Sequence, residues 1–267
     1  MPFLCEFNHT QTTLNFPRLF VDRPRLAHGI RLLDIGNHAN IRVSSSLQHL
    51  TRSSVDCHIT TCNTTLGVYR DVAFAHVFAL APGDLDFLTG EHMHNPWVNP
   101  NDPASVRIDF ERPFVTPPKV VVFLNCIDLD KNHHWRVKTT ASDIDVKGFT
   151  LHIGTWLDTI LYAVRAGWIA YPEDREHIFS TSVSTLDIRP VNEPQLEHSK
   201  EISFDSVEFL KTPSVFVALN SLDIDCKTSL RIHARVDGTS TTRLVWHIDS
   251  WADTVVYSAG ATIIAFN

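Results

Sequence analysis

Residues 148–171 read GFTLHIGTWLDTILYAVRAGWIAY, and residues 243–266 read RLVWHIDSWADTVVYSAGATIIAF. Laid over one another without a gap, they share W-x-D-T-x-x-Y: Trp156, Asp158, Thr159 and Tyr162, then Trp251, Asp253, Thr254 and Tyr257. Ahead of the first tryptophan, Phe149, Leu151 and Ile153 alternate with Thr150 and His152, the period of two that marks a half-buried strand. Leu244, Trp246 and Ile248 alternate with Val245, His247 and Asp249 in the same way, and Val55, Cys57 and Ile59 give a third instance.

Working outward, an arginine precedes each tryptophan by 20 residues, Arg136 and Arg231. Further upstream Phe16, Phe110 and Phe204 are spaced by 94 residues. From these phenylalanines the chain reads FPRLFVDRPRLAHGIRLLDIGNHANIRV, FERPFVTPPKVVVFLNCIDLDKNHHWRV and FDSVEFLKTPSVFVALNSLDIDCKTSLRI, with one residue inserted in the third. Agreement with so few gaps means three copies of one unit. We divide them as residues 1–80, 81–172 and 173–267. The first copy keeps Arg42 and Tyr69 but has Cys62 where the others have tryptophan.

Each unit reads as all-β. Val, Ile, Thr and aromatic residues recur in runs of four to eight, punctuated by Pro, Asn, Asp and Gly, and no helical periodicity competes. Five or six such strands per unit suit a small antiparallel sandwich, so the expected fold is three tandem β-sandwiches.

Composition narrows the function classes. Hydrophobic residues make up 43% and charged residues 20%, which suits a packed globule rather than a disordered chain. A net charge of −7 without a basic cluster argues against a nucleic-acid partner. No apolar run of the length a membrane span needs is present, so membrane insertion is not expected. The start MPFLCEFNHTQTTLNF has neither the basic beginning nor the apolar stretch of a secretory signal, so a cytoplasmic location is expected, with non-classical release left open. Five cysteines (5, 57, 62, 126 and 226) without zinc-type spacing fit reduced thiols, and the glycosylation-type triplets at Asn8 and Asn63 read as chance matches.

Strand alternation also sorts the side chains by face. Trp156 shares the parity of Thr150 and His152, and Trp251 that of His247 and Asp249, so both indoles point away from the sandwich interior. Arg231, His233 and Arg235 point out while Leu230, Ile232 and Ala234 point in; Ile41 and Val43 flank Arg42 likewise. An outward indole beside an outward guanidinium suits a sugar, because the ring face packs on a pyranose C–H patch and the arginine donates to hydroxyls. A second reading stays open: the tryptophans fill gaps between packed repeats while the arginines pair with acidic neighbours.

The combination of F-x-x-x-F-x-x-P-P at Phe110, the following Arg136 and G-F-x-x-x-I-x-T-W-x-D-T-x-x-Y resembles the H-type lectin domain. The resemblance covers most of the second and third repeats and, more weakly, the first. It implies six-stranded antiparallel sandwiches assembled in threes. Galactose or N-acetylgalactosamine glycans would bind in clefts between units, with no metal, no other cofactor and no catalysis. Matched residue by residue, the family's site arginine falls on Arg136 and Arg231, its tryptophan on Trp156 and Trp251, and its tyrosine on Tyr162 and Tyr257. Leu157 and Ala252 stand where some members place a polar contact. An acidic residue ahead of the first strand falls on Asp187, with Met93 opposite it in the second repeat. Three units on one chain imply an internal pseudo-trimer with a weak or dead first site, multivalent binding, and further homo-oligomerisation as an option.

Two other classes compete. Glu91-His-Met-His94 offers a weak metal signal, His92 and His94 lying on one strand face. No G-x-S-x-G, H-E-x-x-H, Walker or G-x-G-x-x-G pattern supports an enzyme. A structural or protein-binding sandwich that has lost its sugar is the other.

Overall fold

The computed structural model describes residues 3–7, 11–61, 72–81, 83–96, 103–205 and 207–267. The first repeat supplies β1 (Phe3–Phe7), β2 (Gln11–Asn15), β3 (Arg25–Ile35), β4 (Ile41–Gln48), β5 (Ser54–Thr61) and β6 (Val72–Leu80). The second supplies β7 (Leu88–His94), β8 (Ala104–Asp109), β9 (Pro118–Leu129), β10 (Trp135–Asp145), β11 (Gly148–Gly154) and β12 (Leu161–Pro172). The third supplies β13 (Ile178–Ser184), β14 (Ser199–Ser203), β15 (Ser214–Ile224), β16 (Leu230–Asp237), β17 (Arg243–Asp249) and β18 (Val256–Phe266). The protein is all-β; among the described residues a single 3-10 turn, Thr185–Asp187, follows β13.

These strands form three six-stranded antiparallel sheets, and each sheet is shared between repeats. Their orders are β1-β6-β3-β16-β17-β14, β2-β5-β4-β9-β12-β7 and β13-β18-β15-β10-β11-β8. Within a repeat the first, third and sixth strands form one half of a sandwich, and the second, fourth and fifth form the other. Each half then continues through an inter-repeat pairing: β4 with β9, β10 with β15, β16 with β3. First joins second, second joins third, third joins first. This cyclic pairing is compatible with an internal pseudo-trimer.

Two kinds of strand follow from two kinds of sequence. The β11 and β17 segments alternate, and Phe149, Leu151, Ile153, Leu244, Trp246 and Ile248 are buried while their neighbours are only partly covered. The runs PKVVVFLNCIDL in β9 and SVFVALNSLDI in β15 do not alternate, because both of their faces are covered. One face packs inside the sandwich. The other joins a cluster drawn from all three repeats, including Phe78, Phe123, Phe216 and Phe266. The Phe123 and Phe216 rings lie 5.0 Å apart, and those of Phe78 and Phe266 4.6 Å. Gly29 sits at this contact; a Cβ there would lie 2.5 Å from the Ala218 Cβ and 2.9 Å from the Phe123 ring, so only glycine lets the backbones approach.

The repeated phenylalanines close the sandwich ends. Phe16 packs edge-on against Phe20, Phe110 against Phe114, and Phe204 against Phe209, at centroid distances of 5.2, 5.1 and 5.0 Å. The inserted residue of the third copy is absorbed in this loop without loss of the ring pair.

Candidate functional site

The three inter-repeat pairings set an arginine opposite an aspartate in register: Arg42 with Asp128, Arg136 with Asp223, and Arg231 with Asp34. Their side chains meet. Arg42 Nε donates to Asp128 Oδ2 at 2.7 Å, Arg136 Nε to Asp223 Oδ1 at 3.1 Å, and Arg231 Nε lies 3.5 Å from Asp34 Oδ1. Outward parity therefore does not mean solvent here, since the neighbouring repeat covers the face; the Arg136 side chain is 8% exposed. Arg136 also pairs with Asp158, and Arg231 Nη1 lies 2.5 Å from Asp253 Oδ1.

The W-x-D-T segment is a turn beyond the end of β11 or β17. Leu157 and Ala252 adopt φ of 58° and 57°, and the threonine N–H donates to the tryptophan carbonyl at 3.4 Å in both copies. The threonine hydroxyl ties the turn down, Thr159 Oγ1 donating to His134 O at 2.5 Å and Thr254 Oγ1 to Ser229 O at 2.7 Å. So the motif's threonine anchors the turn, its aspartate meets the arginine, and Trp156 and Trp251 are left half-buried at the rim. The Trp156 side chain also hydrogen-bonds the Asp223 carboxylate.

Tyr162 and Tyr257 begin the sixth strands and donate to Asp130 Oδ2 at 3.2 Å and Asp225 Oδ2 at 3.3 Å, each within its own repeat. Tyr257 nonetheless faces the second repeat, where the His134 ring lies 5.7 Å away, and His134 Nδ1 is 3.8 Å from Asp225 Oδ1. Burial and the Asp225 carboxylate raise the Tyr257 hydroxyl pKa. Burial likewise raises the Asp223 carboxyl, against the pull of Arg136, whereas the Arg136 hydrogen bond holds Asp158 below the usual carboxylate range.

The seven sequence-derived candidates thus fall at three different junctions. Arg136 and Trp156 of the second repeat meet Asp223 of the third, and Arg136 acts on Tyr257. Arg231 of the third meets Asp34 of the first, with Trp251 two residues before its other partner, Asp253. Tyr162 of the second stands at the junction carrying Arg42 of the first. Cys62 and Tyr69 lie outside the described residues. Asp187 is exposed in the 3-10 turn, where its Oδ2 accepts the Ser184 N–H at 2.8 Å. It lines a cleft of about 370 Å³ between β10 and β13, beside Lys138, Ser184 and Asn220. Strand pairing corrects one alignment: Ser184, not Asp187, shares the register of Met93, since these two face the equivalent positions Gly260 and Arg165.

The acidic partners carry a sequence signal of their own. In LLDIGN, CIDLDKN and SLDIDCK an aspartate stands eight residues before each arginine, with a second aspartate two residues on in the latter two copies. Among the described residues no group of three or more His, Cys, Asp or Glu is arranged to hold a metal ion. Glu91 lies on the strand face opposite His92 and His94 and is engaged by Asn125 and Arg165.

Comparison with known proteins gives the class of protein these junctions belong to. The family model of the H-type lectin domain matches residues 105–171 and 199–266, just over half of the chain. The chain belongs to that family, and is a carbohydrate-binding lectin. A protein of Fuscovulum blasticum named ATP synthase subunits region ORF 7 is 36% identical over 93 residues, covering 34% of this chain and 77% of that protein. The structure of recombinant discoidin II of Dictyostelium discoideum aligns over 61% of this chain and 77% of its own, at 13% identity and a TM-score of 0.31.

Proposed function

We propose that the protein is a multivalent lectin for galactose-type glycans, galactose or N-acetylgalactosamine, without catalysis. In this reading residues 1–80, 81–172 and 173–267 are three units of an internal pseudo-trimer with saccharide sites at their junctions. The observation that carries it is the meeting of Arg136, Trp156 and Asp158 from one repeat with Asp223, Asp225 and Tyr257 from the next. A sugar hydroxyl both donates and accepts, so it needs carboxylates and cationic donors side by side. A half-exposed indole supplies the apolar face that a galactose ring, with its axial O4, can cover. Arg231, Trp251 and Asp253 repeat this half-site against the first unit, while the first unit's own junction has Arg42 and the second unit's Tyr162. Asp187 adds an acceptor near the site between the second and third units.

The ion pairs refine the roles. Arg136 and Arg231 hold the junction and orient its carboxylates, and Trp156 and Trp251 do the stacking. This joins the two readings left open by the sequence instead of choosing between them. Cys5, Cys57, Cys126 and Cys226 are free, which supports residence in a reducing cytoplasm, and no helix among the described residues is long and apolar enough to cross a membrane. A glycan array tests the whole proposal: galactosyl signals that vanish in a folded Trp156→Ala/Trp251→Ala variant are expected. A blank array with wild-type protein would return the sandwich to a purely structural role.

A further inference from the structure

The two ends of the molecule differ in character. The arginine–aspartate seams occupy one end, where Asp34 pairs with Arg231 near the close of β3. Strands of this length carry the chain roughly 30 Å to the other end. There Arg25 pairs with Leu80, Pro118 with Pro172 and Ser214 with Phe266, so loops of all three repeats emerge together.

Each repeat leaves an apolar residue in water at this far end, directly after the second phenylalanine of its ring pair. These are Val21, Val115 and Leu210, with exposures of 89%, 99% and 75%. The first of the three loops is also basic. Arg18 and Arg23 are exposed on it beside Leu19, and Arg52 joins them from the turn between β4 and β5. Against these three arginines stands Asp22, which leaves a charge of +2. The matching loops hold Glu111 and Arg112 in the second repeat, and Asp205, Glu208 and Lys211 in the third. The basic loop is held in shape. The Phe16 and Phe20 rings anchor it, the Phe20 N–H donates to the Arg52 carbonyl at 2.9 Å, and Arg52 Nε donates to the Phe20 carbonyl at 2.9 Å.

At the same end a cleft of about 620 Å³ opens between the second and third repeats. Its floor is the edge of the aromatic cluster shared by the repeats, at Phe87, Ile178 and Phe266. Its rim carries Asp84, Asp86, Asp174 and Glu176, and an adjoining hollow adds Glu173 and Glu208. One guanidinium stands among them. Arg175 pairs with Asp84 and Asp86 and lies 5.7 Å from the Phe87 ring centroid. Six carboxylates and one guanidinium give a charge of −5 here, most of the −7 of the whole chain. Arg175 also shows what the cleft accepts: a guanidinium between carboxylates, above an aromatic ring.

We infer that this end binds a second copy of the chain, the loop of residues 18–23 in each copy entering the acidic cleft of the other. A twofold axis across the end makes the contact isologous, so loop meets cleft twice. Opposite charges steer loop to cleft and disfavour loop on loop. Leu19 and Val21 bring apolar surface to the cleft floor, and Val115 and Leu210 lie on the same covered end. The carboxylates that attract the basic loop repel an anionic membrane, the other partner that exposed apolar tips suit. The seams of the two copies then face away from each other, on opposite sides of the dimer.

Sedimentation equilibrium of the full chain tests this. Wild-type protein is expected to show twice the 30.2 kDa mass of one chain, and to dissociate as salt is raised. Arg18→Glu/Arg23→Glu and Asp174→Lys/Glu176→Lys are each expected to weaken dimerisation about a hundredfold or more. All four side chains are exposed, so both variants are expected to keep the wild-type unfolding midpoint. Mixed in equal amounts, the two variants are expected to dimerise again. The acidified loop of one then meets the basic cleft of the other, and the second contact keeps its native charges. A single-chain wild type, a dimer that survives either charge reversal, or a mixture of folded variants that stays monomeric overturns the inference. Sugar plays no part in the readout, so the outcome is independent of the saccharide reading.

Discussion

Arg136 on β10 and Asp223 on β15 face each other in register across the seam between two repeats, guanidinium Nε 3.1 Å from carboxylate Oδ1, with side-chain exposures of only 8% and 12%. The same pair recurs at the other two seams, so a conspicuous arginine of the repeat is a seam residue first. Breaking such a pair leaves one uncompensated charge under cover, which typically costs about 3–5 kcal/mol. Arg136→Ala is therefore expected to lower the midpoint of urea unfolding markedly. Arg136→Met with Asp223→Leu should recover most of the loss. Equal stability of Arg136→Ala and wild type would show that the seam does not depend on the pair.

The indoles are better probes of binding. Trp156 and Trp251 sit half-buried in turns whose geometry is held by Thr159 and Thr254, so alanine there removes a ring face and, at Trp156, one hydrogen bond to Asp223. Trp251→Ala is expected to stay within about 1 kcal/mol of wild type and Trp156→Ala within about 2 kcal/mol. The double variant should elute unretarded from immobilised galactose. Full retention of the folded double variant would rule out indole stacking.

Acid should weaken the seam between the third and first repeats. Burial pushes His76 down to about 3 and His233 down to about 4, with Arg31 adding to both shifts. Below the ordinary histidine value near 6.5 the unfolded chain takes up protons that the folded chain refuses. Stability is thus complete above pH 6.5 and falls as pH drops towards 4, by up to about 1.4 kcal/mol per pH unit for each histidine. Urea unfolding at pH 7 and pH 5 measures the slope, and His233→Asn should flatten it. An unchanged slope in that variant would place the acid sensitivity elsewhere.

Chelation should have no effect. Dialysis against a chelator is expected to leave both the unfolding midpoint and galactose retention as they were, because the proposed sites hold sugar with carboxylates, guanidinium groups and indoles. Loss of retention that zinc or calcium restores would revive His92 and His94 as ligands.

Much of the fold was legible because the strands of the sandwich outer half alternate. Phe149, Leu151 and Ile153 announce both a strand and its buried face, and the 94-residue spacing of the phenylalanines announces the repeat. Strand exchange was not legible. An alternating pattern says which side of its own sheet a residue faces, and says nothing of what covers the other side, so Arg136 read as outward and proved enclosed. The candidate residues could be chosen by type from the sequence, but not their grouping. Tyr257 lies beside Arg136 of another repeat, and that neighbourhood is fixed by β10 pairing with β15, a contact 87 residues long in sequence for Arg136 and Asp223. Asp34, Asp128 and Asp223 kept a constant interval to their arginines, a signal that only gains meaning once two strands are known to pair.

The pairing of β3 with β16 also orders events during synthesis. Arg31 and His233, which meet in that seam, are 202 residues apart in the chain. A ribosome delivers residues from the N-terminus at about 5–20 per second, so β3 emerges with its edge bare and waits some ten seconds or more for its mate. For that interval the nascent first repeat offers a row of free backbone donors and acceptors to any passing strand. Closure of this seam thus waits for the third repeat, which acts as the clasp.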